Sequence, residues 1–386
     1  MKKDIKLLSL AFLLIFAGYN SVQQYVTTYF TGIGESQVGF RSLILIYIFF
    51  AVANPLASIF TSKYGSKLAM LVAAPIYGLY IFSISFKNPA IVYLTSSLLG
   101  MAASFIWTGE TSYLMRISEQ KSRGKNSGFF NAVFSVGSVF GLFALGYLST
   151  RFALQSLFQI AAFASFLGFL FLFFLRDVKS AKLQNQFVFL KKIIFSKTAI
   201  RVSLIGFVFS LIFGVAISLI PVQIGSLAGV EFIGPLTSVF YFFPIIMSYS
   251  FGSLSDVKGR RVLLIWSFAI TLVGLFFLYL SNNFLFLIIG VLLTAVTRSL
   301  AGGAGPVTVS LIGDISDENN LDFVTALFWM MQNFGVVVAL FITLFLKTRE
   351  VYLILFLIVA VAFLAVWPIL KTNLNLIQRK VSQELS

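Results

Sequence analysis

The apolar residues of this chain fall into long blocks separated by short polar stretches. The blocks run at 5–30, 40–61, 68–86, 90–115, 127–149, 152–175, 200–224, 231–250, 261–280, 284–312, 321–346 and 350–370. Each holds about 20 residues or a little more, enough for a helix rising about 1.5 Å per residue to cross roughly 30 Å of hydrocarbon. Within a block the apolar residues neither alternate nor keep to one stripe, as they would in a half-buried strand or a surface helix. The pattern predicts an all-α integral membrane protein with twelve transmembrane helices. The first block, Ile5 to Phe30, is too long for the apolar core of a signal peptide and carries no small-x-small cleavage pattern, so it reads as the first span.

The longest polar stretch, Arg176 to Arg201, falls after six blocks and leaves six behind it. This predicts an N-terminal six-helix domain over 1–175, a basic cytoplasmic linker over 176–200, and a C-terminal six-helix domain with a short cytoplasmic tail over 201–386. The linker is either a solvated positive segment or a helix on the anionic inner leaflet, where Phe187, Phe189 and Leu190 adjoin Lys191 and Lys192. A repeat relates the halves. Ser58-Ile-Phe-Thr-Ser-Lys-Tyr-Gly65-Ser-Lys follows the second span, and Gly252-Ser-Leu-Ser-Asp256-Val-Lys-Gly259-Arg-Arg follows the eighth. Gly65 and Gly259 align, as do Gly100 and Gly302 in spans four and ten. Duplicated halves around a midplane cavity are a transporter architecture.

Composition agrees with the pattern. The chain is 59% hydrophobic and 11% charged, with a mean hydropathy of +0.97. A soluble domain carries about a quarter charged residues, so this chain cannot build a soluble surface. The net charge of +15 would suggest nucleic acid on a soluble protein. Here it follows topology: with the N-terminus inside, 22 of the 28 Lys and Arg fall in cytoplasmic segments and five in outer ones. That bias places both termini in the cytoplasm and accounts for the charge without nucleic acid. One cytoplasmic loop departs from it, holding Asp314, Asp317, Glu318 and Asp322 with no cation. The absence of Cys and His rules out disulfides, thiol chemistry and an imidazole relay or metal ligand.

Several motifs resemble a known family. Gly252-x3-Asp256-x2-Gly259-Arg260-Arg261 resembles the signature loop of the major facilitator superfamily. Gly290 with Arg298 and Gly302–Gly305, and Arg123-Gly124 before a glycine-spaced fifth span, also resemble its motifs. Within it, the first half resembles the UNC-93-like group through Asn20-Ser-Val-Gln23-Gln24 with Thr27-Thr28, Tyr47 with Asn54-Pro55, Tyr77-Gly-Leu-Tyr80, and Trp107-Thr-Gly-Glu110-Thr-Ser-Tyr-Leu114. The resemblance implies two pseudo-symmetric six-helix bundles, alternating access to a central site, and a gating role for Gly252, Asp256, Gly259, Arg260 and Arg261. It also leaves a regulatory role open, since some UNC-93-like proteins are regulators of other membrane proteins. The first-half loop departs from the motif: Ser58 and Ser62 stand where Gly and Asp belong, so closure of the cytoplasmic side is expected to rest on Asp256.

Ionisable and amide groups inside spans are the candidate chemistry. Glu110 in span four is either a proton-coupling group or a structural acid pairing with Arg116 or Arg123. Arg298 lies near mid-depth in span ten and needs a partner: an anionic or polar substrate, or a protein carbonyl or acid. The repeat separates it from Glu110 by fourteen residues, roughly 20 Å along a helix, so the two are not expected to pair. Asn20, Gln23 and Gln24 in span one, and Trp329, Gln332 and Asn333 in span eleven, could bind a polar solute or bond between helices. Gln223 in span seven is a further amide, and Tyr47, Trp107 and Tyr113 are secondary candidates to line the cavity, with packing as the alternative. Gly128, Gly137, Gly141 and Gly146 predict close packing of span five. Pro55, Pro75, Pro221, Pro235, Pro244 and Pro306 fall in or near spans, and Gly302-Gly303-Ala304-Gly305-Pro306 predicts a kink or a broken helix beside Arg298.

The leading expectation is a monomeric secondary transporter of a small organic solute in the cell membrane, needing no cofactor, with proton coupling through Glu110. The alternative is a non-transporting regulator or trafficking partner of another membrane protein. No phosphate-binding loop, nucleophile–base set or filter motif points to a pump, an enzyme or a channel.

Overall fold

A computed structural model describes residues 3–149, 151–178, 186–229, 232–302, 305–372 and 374–385. The helices α1 (Lys3–Gly32), α2 (Ser36–Tyr64), α3 (Ser66–Ile84), α4 (Pro89–Ile117), α5 (Arg123–Leu148) and α6 (Leu154–Leu172) take the first six apolar blocks. A short helix α7 (Gln186–Phe195) lies in the linker. The second set comprises α8 (Lys197–Ile217), α9 (Leu219–Ala228), α10 (Ile233–Lys258), α11 (Arg260–Tyr279), α12 (Phe284–Leu300), α13 (Pro306–Ile315), α14 (Leu321–Phe345) and α15 (Thr348–Lys371). An amphipathic tail helix α16 (Leu374–Leu385) follows.

Among the described residues, eleven helices are long and apolar enough to cross a membrane. Two of the twelve expected spans are not single helices. Span ten divides into α12, of 17 residues, and α13, with Pro306 as the first residue of the second piece. Proline suits that position because the amide it lacks has no helical acceptor there. Span seven divides at Ser218 into α8 and α9. Pro221 explains this second break: its ring conflicts with the carbonyl four residues back, that of Ile217, where α8 ends.

Gly65 and Gly259, aligned in the repeat, share one backbone conformation: φ 93°, ψ 155° and φ 87°, ψ 151°. Each ends one helix and starts the next, and positive φ favours glycine. The repeat is therefore a repeat of backbone geometry as well as of letters.

The chain forms two compact units. One comprises Met1–Ile117 and Val133–Leu190, the other Ser118–Ala132 and Lys191–Ser386. Helix α5 thus begins in the second unit and ends in the first. In the first unit, Gly137 and Gly141 bring α5 against α1; a Cβ on either would lie 2.2 Å from the Leu13 carbonyl oxygen or 2.0 Å from that of Ala17. Large apolar side chains remain exposed along the spans, with Phe140 69% and Phe174 75% exposed, where lipid rather than water would meet them.

Candidate functional site

In the first unit, Glu110 is fully buried on α4. Its Oε2 accepts a 2.9 Å hydrogen bond from Thr111 Oγ1, while Oε1 has no hydrogen-bond partner. The expected structural pairings are not the ones formed. Arg116 donates to Ser66 Oγ at 2.9 Å, and Arg123 lies with the second unit and pairs with Asp314 at 3.1 Å. Thr108 Oγ1 and Ser112 Oγ on the same helix are also buried without partners.

The span-one amides are buried and bonded between helices. Asn20 donates to Ser138 Oγ on α5 at 2.7 Å, and Gln23 to the Tyr47 hydroxyl on α2 at 3.0 Å. The side chains of Gln24, Thr27 and Thr28 lie outside the described residues, as do those of Phe187, Phe189 and Pro235 and the whole of Lys179, Lys182, Gly303 and Ala304. Trp107 joins a buried aromatic cluster, with ring centroids 5.0 Å from Phe16, which lies 5.1 Å from Tyr77. Tyr113 donates to the Arg176 carbonyl at 3.0 Å, at the end of α6's span.

In the second unit, Arg298 Nε donates to the Phe240 carbonyl at 3.0 Å, and the guanidinium lies over the rings of Phe213 (4.4 Å) and Tyr241 (5.2 Å). The partner the sequence requires is thus a backbone carbonyl of α10. Trp329, Gln332 and Asn333 are buried on α14. Asn333 bonds back to the Trp329 carbonyl at 2.7 Å, and Ser210 on α8 donates to the Gln332 carbonyl at 2.5 Å. Gln332 Oε1 is buried with no hydrogen-bond partner. Gln223 is a structural bridge: it donates to Ser281 Oγ at 2.5 Å and accepts from the Tyr352 hydroxyl at 2.7 Å.

The signature loop builds an ion network inside the second unit. Asp256 accepts from the amides of Gly124 (2.9 Å) and Lys125 (2.8 Å), in the first turn of α5. These amides have no acceptor within their own helix, and the helix dipole adds to the attraction. Arg260, 4% exposed, lies between two acids, with Nη1 2.6 Å from Asp256 and Nε 2.8 Å from Asp314. Arg123 adds a second cation to Asp314 and also bonds the Gly313 carbonyl. Gly252 faces Gly124 so closely that a Cβ on either would lie 2.0 or 2.3 Å from the other's carbonyl oxygen. Arg261 is exposed.

The loop that departs from the basic bias is explained here. Asp314 is the shared partner of Arg123 and Arg260. Asp317 accepts from the amides of Asn319 and Asn320 and from Ser382 of the tail. Asp314 thus serves cations, and Asp317 a tail hydroxyl, from distant parts of the sequence, which a loop-by-loop reading does not reveal.

A family model, the Major Facilitator Superfamily, matches residues 7–231 and 202–383. The chain belongs to that superfamily. Among curated relatives it is similar to UNC93-like protein 3 of Arabidopsis thaliana, 30% identical over 193 residues, covering 46% of this chain and 40% of the relative. It is also similar to the putative potassium channel regulatory protein unc-93 of Caenorhabditis elegans, 26% identical over 165 residues, covering 40% of this chain and 23% of the relative. The matched stretch is thus less than half the length of either relative. Among solved structures it is similar to the proton:xylose symporter XylE, with a TM-score of 0.77 at 14% identity, covering 95% of this chain and 96% of that one. At that identity the likeness shows the fold: an all-α, multi-pass membrane protein of the major facilitator type, not an enzyme fold.

Proposed function

We propose that this chain is a secondary active transporter that moves a small organic solute by alternating access and is driven by proton binding at Glu110. The protein sits as a monomer in the plasma membrane, with both termini and the basic linker facing the cytoplasm. The observation that carries the reading is Glu110 itself, fully buried in a membrane-spanning helix with one oxygen lacking a donor. Charge there is costly unless paired or hydrated. Taking up and releasing a proton at this position therefore changes the relative energy of two conformations, which is what coupling requires.

Solute recognition falls to the buried amides, with Gln332 foremost because its Oε1 has no hydrogen-bond partner. Asn20, Gln23, Gln24, Trp329 and Asn333 are the further candidates for a polar solute, and Arg298 for an anionic one. Asp256, Arg260, Gly252 and Gly259, with Arg261 beside them, form the cytoplasmic gate: Asp256 holds the first turn of α5 in one state and releases it in the other.

The test begins with solutes that raise the thermal stability of the purified protein. Each is then offered to liposomes carrying an imposed pH gradient. Glu110→Gln is expected to abolish gradient-driven uptake while keeping solute exchange without a gradient. Equal driven uptake by that variant would remove Glu110 from coupling. The name of the worm relative favours a second reading, regulation of another membrane protein. Absence of flux for every stabilising solute would favour it.

A further inference from the structure

Two short helices outside the membrane-spanning set, α7 and α16, carry exposed basic residues, and the second unit takes α16 and the part of α7 from Lys191 onward. Helix α7 ends at Phe195, two residues before Lys197, where the membrane-spanning helix α8 begins. Its last turns therefore sit at the level where α8 enters the bilayer. Val188, Lys191 and Phe195 are spaced three and four apart and share one face. All three are exposed, Val188 at 50% and Phe195 at 72%, while Ile193 on the other side is fully buried. Between Gln186 and Arg201 the chain holds four cations and no acid; Lys191, Lys197 and Arg201 are exposed.

The tail helix α16 repeats the arrangement. Leu376, Arg379, Lys380, Gln383 and Glu384 are exposed on it, and Ile377 and Val381 are buried. Its Glu384 ties α16 to the start of α8, just after α7 ends: it accepts from Ser196 Oγ at 2.5 Å, Thr198 Oγ1 at 2.6 Å and the Thr198 amide at 3.2 Å. Glu384 is the one acid facing this junction among the residues just named, and its oxygens are turned to those donors.

We propose that the outer faces of α7 and α16 dock on anionic phospholipid head groups of the leaflet at the basic end of the bundle. Lys191, Lys197 and Arg201 meet the phosphates, with Arg379 and Lys380 beside them, and Val188 and Phe195 enter the acyl region. A basic face with large apolar side chains suits an anionic interface and no other part of a bilayer. A hydrated linker would gain nothing from an exposed Phe195 at the membrane level. Among the described side chains of α7, the exposed apolar ones are Val188 and Phe195. This docking holds whether or not the protein transports a solute.

The chain has no cysteine, so Phe195→Cys gives a unique attachment point for a nitroxide. The labelled full chain is placed in nanodiscs of phosphatidylcholine, with or without phosphatidylglycerol, and collisions with oxygen and with a nickel chelate are compared. Oxygen is expected to dominate only when phosphatidylglycerol is present. Each of Lys191→Gln, Lys197→Gln and Arg201→Gln should weaken the docked state about fivefold, the effect of one cation near an anionic surface. A label equally open to the chelate in both lipids overturns the proposal. So does the same shift produced over phosphatidylcholine by soluble glycerol phosphate, since that is binding of a free anion. Val188→Cys provides a second label position if the first variant folds poorly.

Discussion

Arg298 donates its Nε–H to the carbonyl of Phe240, at 3.0 Å. The helical donor for that carbonyl would be the amide of residue 244, and residue 244 is proline. A guanidinium deep in one span thus repairs the backbone of another, where an unsatisfied carbonyl in hydrocarbon costs several kcal/mol. The aromatic rings of Phe213 and Tyr241 flank the same guanidinium and lower the cost of its charge.

Arg298→Leu is therefore expected to destabilise the protein by about 1–3 kcal/mol, the cost of leaving a buried polar group unsatisfied. Pro244→Ala, which returns a donor to Phe240, should recover part of that loss in the Arg298→Leu background. Denaturant unfolding in detergent of the two single variants and the double variant measures this. Strictly additive effects would show that the two positions are not linked through the carbonyl.

Much of the fold is legible in the sequence because its signals are local. Apolar block length gives the spans, and the shared spacing around Gly65 and Gly259 gives two loops with the same backbone turn. The break after Leu300 is likewise announced by its glycines and Pro306, whereas the break at Ser218 is signalled by Pro221 alone, inside an otherwise continuous apolar block. Pairings are harder, because they depend on which helices meet. Arg123 is near Glu110 in sequence, yet its partner is Asp314, 191 residues away. Pro244 and Arg298 each looked unusual alone, and only the packing of α10 against α12 shows that one answers the other.

The Asp256 contacts to Gly124 and Lys125 predict a local effect on α5. Asp256→Ala removes the acceptor of both amides while Arg260 keeps Asp314. Amide hydrogen exchange in the segment around 120–130 should speed up about fivefold to a hundredfold, corresponding to roughly 1–3 kcal/mol of lost protection. Exchange in α4 should not change. Gly124→Ala should act on the same segment by another route, since its Cβ would meet the Gly252 carbonyl oxygen at 2.3 Å. Unaltered exchange in both variants would show that α5 does not depend on this loop.

The tail helix carries a pH dependence through Glu384. Partial burial pushes its carboxyl upward, but the hydrogen bonds from Ser196 and Thr198, helped by Lys197, outweigh it and hold the group below the ordinary value of 4.5. A depressed carboxylate stabilises the folded contact above its unfolded value, and the contribution is lost as pH falls through the folded value. The α16–α8 contact should therefore be insensitive to pH from neutrality down to about 5, and loosen on further acidification. Proteolysis of the tail as a function of pH reads this directly. Glu384→Gln should abolish the acid step and expose the tail at every pH; an acid step that persists in that variant would assign it to another group.

Glu110 separates a coupling role from a structural one by stability. A structural carboxylate earns its place through donors, and here Oε1 has none and Oε2 has the hydroxyl of Thr111. Replacing it with the neutral Gln, of nearly the same shape, removes little that holds helices together. Glu110→Gln should therefore unfold within about 0.5 kcal/mol of the parent or be more stable, since surroundings poor in donors do not reward a charge. Its thermal unfolding should also become independent of pH wherever the parent's dependence arises from this group. A loss of 2 kcal/mol or more, of the size expected when a buried hydrogen-bonded charge is removed (about 1.5–3 kcal/mol), would assign Glu110 to structure, and the driving ion would then have to be sought at another residue.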